Sequence, residues 1–171
     1  MLGTLVGASA ASFVKMTSMP ELVALFNGFG GIASLLVGSA EYLGTGSLGL
    51  ISLTAIFLTL IIGGITFSGS LVAYGKLSEI LPGKQITFKG QRIVLVAIFI
   101  AALLFGAQLI FNFQMVEGWN PLFSFLLLIS FALVIGLLIT LPIGGADMPV
   151  IIALLNSCLL YTSDAADELV G

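Results

Sequence analysis

The 171 residues are 59% apolar and only 8% charged, with no histidine and a single cysteine, and the mean hydropathy is +1.25. This composition excludes an ordinary soluble domain, and Cys158 without a second cysteine or any histidine leaves disulfide and metal-site readings nothing to stand on. The net charge of −3 is local, because Asp164, Asp167 and Glu168 crowd the last eight residues and the remaining acids and bases balance.

The chain therefore reads as an all-α membrane protein, a polytopic helical bundle of about six helices with the first and last truncated. The first apolar run, from about Leu2 to Val14, carries Gly3 and Gly7 in G-x-x-x-G spacing. It is shorter than the roughly 20 residues that ~30 Å of hydrocarbon requires. Ala8-Ser9-Ala10 imitates a signal-peptidase site, but no Lys or Arg precedes it, so the run reads as helix. Lys15 to Ser18 make a polar turn. Ser18 is placed to cap the next helix, and Glu21 falls in its first turn, where the helix dipole favours an acid.

The second helix runs to about Tyr42 and opens on Met19-Pro20-Glu21-Leu22-Val23-Ala24-Leu25-Phe26-Asn27. That pattern, M-P-x-x-x-A-L-x-N, returns as Met148-Pro149-Val150-Ile151-Ile152-Ala153-Leu154-Leu155-Asn156. Proline is favoured in a first helical turn, where its missing N–H would have had no partner. Each Asn then lies seven residues further on, at a depth of roughly 10 Å. A carboxamide at that depth needs a partner. Asn27 and Asn156 at equal depth can supply each other or a chain of water, which makes them functional candidates; they can also be helix-packing hydrogen bonds. Both readings stay open. The centre of the helix, Asn27-Gly28-Phe29-Gly30-Gly31, is small enough for a neighbour to approach closely.

Gly44-Thr45-Gly46-Ser47-Leu48-Gly49 spells the dinucleotide fingerprint, but that motif carries meaning only between a strand and a soluble helix. Between two membrane spans it reads as a turn. The third helix, about Leu50 to Ile80, is longer than a bilayer needs and should tilt or project. Its middle holds Gly63-Gly64-Ile65-Thr66-Phe67-Ser68-Gly69-Ser70, either a packing surface or a hydroxyl-lined proton or water path through Thr66, Ser68 and Ser70 beside the two Asn. Leu81 to Gln91 form a polar connection turning at Pro82-Gly83. A fourth helix, about Arg92 to Phe111, has Gln108 as its strongly polar interior residue. In the loop from Asn112 to Asn120, Trp119 fits an interfacial anchor. The fifth helix spans Pro121 to about Leu141, and Pro142-Ile143-Gly144-Gly145-Ala146-Asp147 leads into the second repeat.

Lys15, Lys76, Lys84, Lys89 and Arg92 all fall on one face of the membrane in this alternation. By the positive-inside rule that face is cytoplasmic, so the two repeat helices run parallel from the cytoplasm and Asp147 is cytoplasmic too. Residues 158–171 lack cap or turn chemistry and read like the translation of a transposase-type sequencing adapter. The expected division is thus a partial transmembrane proton-channel domain over 1–157 and a non-native tail over 158–171.

Three separated motifs carry a resemblance: Met19-Pro20-Glu21-Leu22-Val23-Ala24; Thr66-Phe67-Ser68-Gly69-Ser70 with Ala73-Tyr74-Gly75-Lys76-Leu77; and Gly144-Gly145-Ala146-Asp147-Met148-Pro149 with Leu155-Asn156-Ser157. Over about Met1 to Ser157 the chain resembles the beta subunit of proton-translocating NAD(P) transhydrogenase. The resemblance implies a reaction in which hydride passes between NADH and NADP while a proton crosses a bacterial inner membrane. It also implies that NADP and NAD are bound by domains absent here, that this fragment binds no cofactor and is inactive alone, and that it holds no catalytic residue. The implied partners are membrane lipid, an alpha subunit, the subunit's own NADP-binding domain and a second copy of the complex, with no role for nucleic acid. Carried over by position, Asn27 falls where some members place a proton-carrying His, Asn156 on an Asn of the same path, and Ser70 on a channel-side Ser. Asp147, beside the hinge Gly144-Gly145, matches a loop acid facing the NADP domain. An amide cannot titrate as His does, so either the ionisable group comes from a helix of the partner subunit or the path works through ordered water, which Asn27 and Asn156 would position without taking the proton. The rival from another class is a secondary transporter, for which parallel repeats with midplane polar groups are also a signature; a third reading is an assembly subunit.

Overall fold

The computed structural model describes Thr4, Gly7 and residues 18–44, 49–111 and 120–170, with side chains described as far as Tyr161. Five helices follow in order: α1 (Met19–Gly44), α2 (Leu50–Leu77), α3 (Gln91–Phe111), α4 (Pro121–Thr140) and α5 (Met148–Val170), with a 3-10 turn (Gly145–Asp147) before the last. Thr4 and Gly7 are helical; Gly3, Lys15 and Trp119 lie outside the described residues. The helices α1 to α4 are each long and apolar enough to cross a membrane, and among the described residues there is no strand.

Local chemistry accounts for the ends. Asn120 caps α4 by accepting the Leu122 N–H at 3.0 Å, with Pro121 in the first turn, as the sequence Asn-Pro predicts. Gly90, at φ +89°, makes the left-handed turn into α3. The α2 helix stops at Leu77, short of the expected Ile80. Ser78 folds its N–H and hydroxyl back onto the Tyr74 carbonyl, and Glu79 takes φ +60°, which ends the helical course before apolar Ile80 can extend it. The last helix continues without a break from Met148 to Val170, so backbone conformation does not mark the junction expected after Ser157.

The α2 helix is the axis of the described bundle and touches α1, α3, α4 and α5. Glycines set how close it comes. A Cβ on Gly31 would stand 2.6 Å from the Phe67 nitrogen and 2.9 Å from the Gly63 carbonyl oxygen, so α1 and α2 meet backbone to backbone. Across α2, a Cβ on Gly136 would lie 2.6 Å from the Ile65 carbonyl oxygen. In a bilayer, close approach and van der Waals contact replace the hydrophobic drive between helices. One apolar cluster, Ile56, Leu60, Ala102, Phe125, Leu128 and Ile135, joins α2, α3 and α4, and Tyr42 stacks on Phe125 with ring centroids 4.7 Å apart. A second cluster of Ala24, Ala73, Met148 and Ile152 gathers the start of α1, the end of α2 and the start of α5.

Side chains are distributed inside out relative to a soluble protein. Phe26, Phe29, Val37, Ile93 and Phe111 face outward, while Asn27, Thr66, Ser70, Lys76, Gln91, Gln108 and Ser124 are buried. Hydrocarbon as the surrounding solvent explains both halves of this pattern, since it accepts large apolar groups and forces polar ones inward.

Candidate functional site

The two repeats stand side by side and in register. A groove of about 650 Å³ between α1 and α5 is lined by Met19, Pro20, Asn27, Gly30, Pro149, Asn156 and Leu159, among others. Pro20 with Pro149, Asn27 with Asn156, and Gly30 with Leu159 share one sequence offset, and a Cβ on Gly30 would touch the Leu159 side chain at 3.0 Å. Helices that pair start with start and depth with depth run parallel, as the alternation of spans requires.

Within the groove the two Asn differ. Asn27 is buried and donates from Nδ2 to Ser70 Oγ on α2 at 2.9 Å. Asn156 is exposed on the groove wall, and no hydrogen bond joins the two carboxamides among the described residues. The partner of Asn27 is thus the α2 hydroxyl. Asn27 Oδ1 and Thr66 Oγ1 are buried without a hydrogen-bond partner. Thr66 precedes Ser70 by four residues and so follows it on one side of α2. Ser68 does not join them. Its hydroxyl turns back to the Gly64 carbonyl at 3.0 Å, and it packs against Gly136 of α4. The sequence expectation of one hydroxyl line thus divides, with Thr66 and Ser70 toward the first repeat and Ser68 toward α4. A further buried pair, Gln108 Nε2 donating to Ser124 Oγ at 3.1 Å, links α3 to α4, and Gln108 Oε1 has no partner.

The glycine turn lies at the end of the bundle where the repeats begin. Gly144 is extended (φ −70°, ψ 153°), and the Asp147 N–H closes the short turn on the Gly144 carbonyl at 3.1 Å. Gly145 donates to the Gly83 carbonyl at 3.0 Å, which docks the turn on the Pro82-Gly83 connection. Asp147 itself is exposed. Sequence reasoning passed over the residue behind this turn. Lys76 is only 3% exposed, and its ammonium donates to the Leu141 and Ile143 carbonyls, both at 2.6 Å. Gln91 does similar work nearby, donating from Nε2 to the Leu138 carbonyl at 2.8 Å. A lysine near a helix end usually extends to the interface with its head in water. Gly44 closes α1 and Gly49 caps α2 in extended conformation, so the G-x-G-x-x-G stretch stands between two helices, outside the strand-to-helix context that phosphate binding needs.

Membrane-length helices with apolar exteriors, closely packed on glycine and enclosing hydroxyls, carboxamides and one lysine, define a polytopic helical membrane protein with a polar interior. Its sequence matches the family model of the NAD(P) transhydrogenase beta subunit over residues 1–165. It is 40% identical over 164 residues to the NAD(P) transhydrogenase subunit beta of Rhodospirillum rubrum, an alignment covering 91% of this chain and 34% of that protein. The same subunit from a named strain of that species matches to the same extent. The chain belongs to the NAD(P) transhydrogenase beta-subunit family, and it spans about a third of the length of the curated relatives it matches.

Proposed function

We propose that this chain is part of the proton-translocating membrane domain of a transhydrogenase, coupling proton passage to hydride transfer between NADH and NADP bound in domains outside it. The observation that carries the reading is the Asn27–Ser70 pair. It sits one to two turns inside the span, beside a groove that the second repeat shares, with Asn27 Oδ1 and Thr66 Oγ1 left as buried acceptors. Buried polar atoms of that kind suit hydrogen bonds to ordered water, with Asn27 and Asn156 as the carboxamides on an otherwise apolar groove wall. Neither an amide nor a hydroxyl changes charge near neutral pH. In this reading Asn27, Ser70, Thr66 and Asn156 orient water, and the group that holds the proton comes from another helix of the assembled complex. Ser68, folded onto its own helix, serves packing against α4.

Hydride chemistry belongs to nucleotide domains outside this chain and to an alpha-subunit partner. What this chain contributes is a bias between two conformations of those domains, set by proton occupancy. The Gly144–Asp147 turn, on the face we take as cytoplasmic, passes that bias on. The test is a reconstituted complex in vesicles, where Asn27→Leu should cut nucleotide-driven proton uptake by about tenfold or more, a coupling loss on the scale of 1.4 kcal/mol. Uptake equal to the parent's would remove Asn27 from the path.

The in-register parallel repeat also supports a secondary transporter. Vesicles that accumulate a solute with no nicotinamide nucleotide present would favour that reading over ours.

A further inference from the structure

Among the described basic residues Lys76 alone is buried, while Lys84, Lys89 and Arg92 are exposed. A desolvated ammonium must be fully engaged by acceptors. Those of Lys76 are carbonyls at and just beyond the end of α4, Leu141 and Ile143, where a helix leaves its last carbonyls unpaired and carries its negative dipole end. The Leu141 carbonyl also accepts the Ile86 N–H at 3.1 Å. The next residue after Ile143 is Gly144, and the turn to Asp147 follows directly, held on its other side by Gly83. Lys76, Gly83, Gly145 and Ala146 line one small cleft. Six residues before Lys76 on the same helix, ~9 Å along its axis, Ser70 accepts from Asn27.

We infer that Lys76 is a positioning residue that makes the Gly144–Asp147 turn follow α2, so that a displacement of α2 at the Asn27–Ser70 contact is carried to the turn. The holding of the turn stands on the geometry alone; its bearing on coupling rests on the function proposed above. Replacing Lys76 by Met keeps the length and the apolar stem but leaves two buried carbonyls without their charged donor. Replacing it by Arg keeps charge and donors.

The experiment uses the full complex in vesicles, in a background cleared of other reactive cysteines, with spin labels on Gly83→Cys and Ala146→Cys. We expect a narrow distance distribution with Lys76, one spread toward longer distances with Lys76→Met, and a narrow one again with Lys76→Arg. On unlabelled complexes, protons moved per hydride transferred should fall at least about fivefold in Lys76→Met, the lower end of ordinary coupling between sites, and recover in Lys76→Arg. A narrow distribution in Lys76→Met, or an unchanged proton-to-hydride ratio, overturns the inference. If Lys76→Met does not assemble, the comparison moves to Lys76→Gln, which keeps N–H donors but loses the charge and the reach of the ammonium, and is read by the same two criteria. A parent complex that moves no protons with nucleotides refutes the proposed function and the coupling half of this inference, while the label distances still decide whether Lys76 holds the turn.

Discussion

Gly31→Ala is the sharpest perturbation of this architecture, because the new methyl group meets backbone on all sides. Its Cβ would lie 2.6 Å from the Phe67 nitrogen, 2.9 Å from the Gly63 oxygen and 3.1 Å from the Phe67 Cα. No rotamer change relieves contacts with main-chain atoms, so α1 and α2 must part. Bringing the tightest contact to an ordinary 3.4 Å needs about 0.8 Å of separation. Asn27 lies one turn earlier on the same face of α1, and its 2.9 Å bond to Ser70 would stretch toward about 3.7 Å, beyond any hydrogen bond. Overpacking of this kind costs about 1–3 kcal/mol, and an interhelical membrane hydrogen bond adds about 0.6–2 kcal/mol, so the loss should be about 2–5 kcal/mol. Unfolding of the intact subunit in micelles by a denaturing detergent measures it. Gly28→Ala, whose Cβ would meet only the Ser70 Cβ at 3.3 Å and the Phe67 oxygen at 3.8 Å, should cost less, and Gly44→Ala, with nothing within 4 Å, should cost almost nothing. If Gly31→Ala unfolds with Gly44→Ala, the backbone-to-backbone contact of α1 and α2 is refuted.

Other predictions follow from single contacts. Asn120→Ala removes the α4 cap and should destabilise by about 1 kcal/mol, seen as faster hydrogen exchange at the amides of the first α4 turn. Ser124→Ala leaves Gln108 Nε2 buried without its acceptor and should cost about 1–3 kcal/mol, whereas the Gln108→Leu, Ser124→Ala double variant should recover most of that; a double variant weaker than the single contradicts the pairing. Asp147→Asn, at an exposed position, should change stability by less than about 0.5 kcal/mol yet lower proton-coupled turnover, and full coupled turnover would remove Asp147 from the proposed relay. Resequencing the source locus across the codon for Ser157 should find a different continuation from residue 158; a genomic match to Cys158–Gly171 would end the adapter reading.

Composition and hydropathy made α1 to α4 legible to within about three residues at each end, because in a bilayer the apolar run and the helix are one constraint, whereas the last helix runs past the break expected after Ser157. The parallel course of the repeats was legible too, from the alternation of spans and the basic residues gathered on one face. Which face each polar group takes was harder to read. Thr66, Ser68 and Ser70 looked like one line in the sequence, yet at 100° per residue Ser68 stands about 160° from either neighbour. Helical period alone separates them, and the structure sends Ser68 to α4. The choice of Ser70 as partner for Asn27 was out of reach, since it depends on how far Gly31 and Gly63 let two backbones approach. Lys76 was hidden for a different reason: at a helix end a lysine reads as an interfacial charge, and only the fold of the 141–147 segment supplies the carbonyls that draw it in.

The packing on α2 limits what kind of motion could link the groove to the turn. On one side its backbone is pressed against α1 at Gly31 and Gly63, and on the other against α4 at Gly136. Backbone contacts on two sides oppose local unwinding of α2 near Gly63 to Phe67, and α2 carries no proline to kink it. Order-to-disorder switching within α2 is therefore disfavoured, and small sliding of packed helices remains. Sliding preserves the spacing between Ser70 and Lys76, so whatever moves the first moves the second. The turn beyond Ile143 differs in that hydrogen bonds, to Lys76 on one flank and Gly83 on the other, join it to its neighbours between the packed side chains of Ile143 and Met148. In the coupling proposed above, a rigid α2 bonded through Lys76 to the segment before Gly144 would therefore deliver its displacement to the Gly144–Asp147 turn.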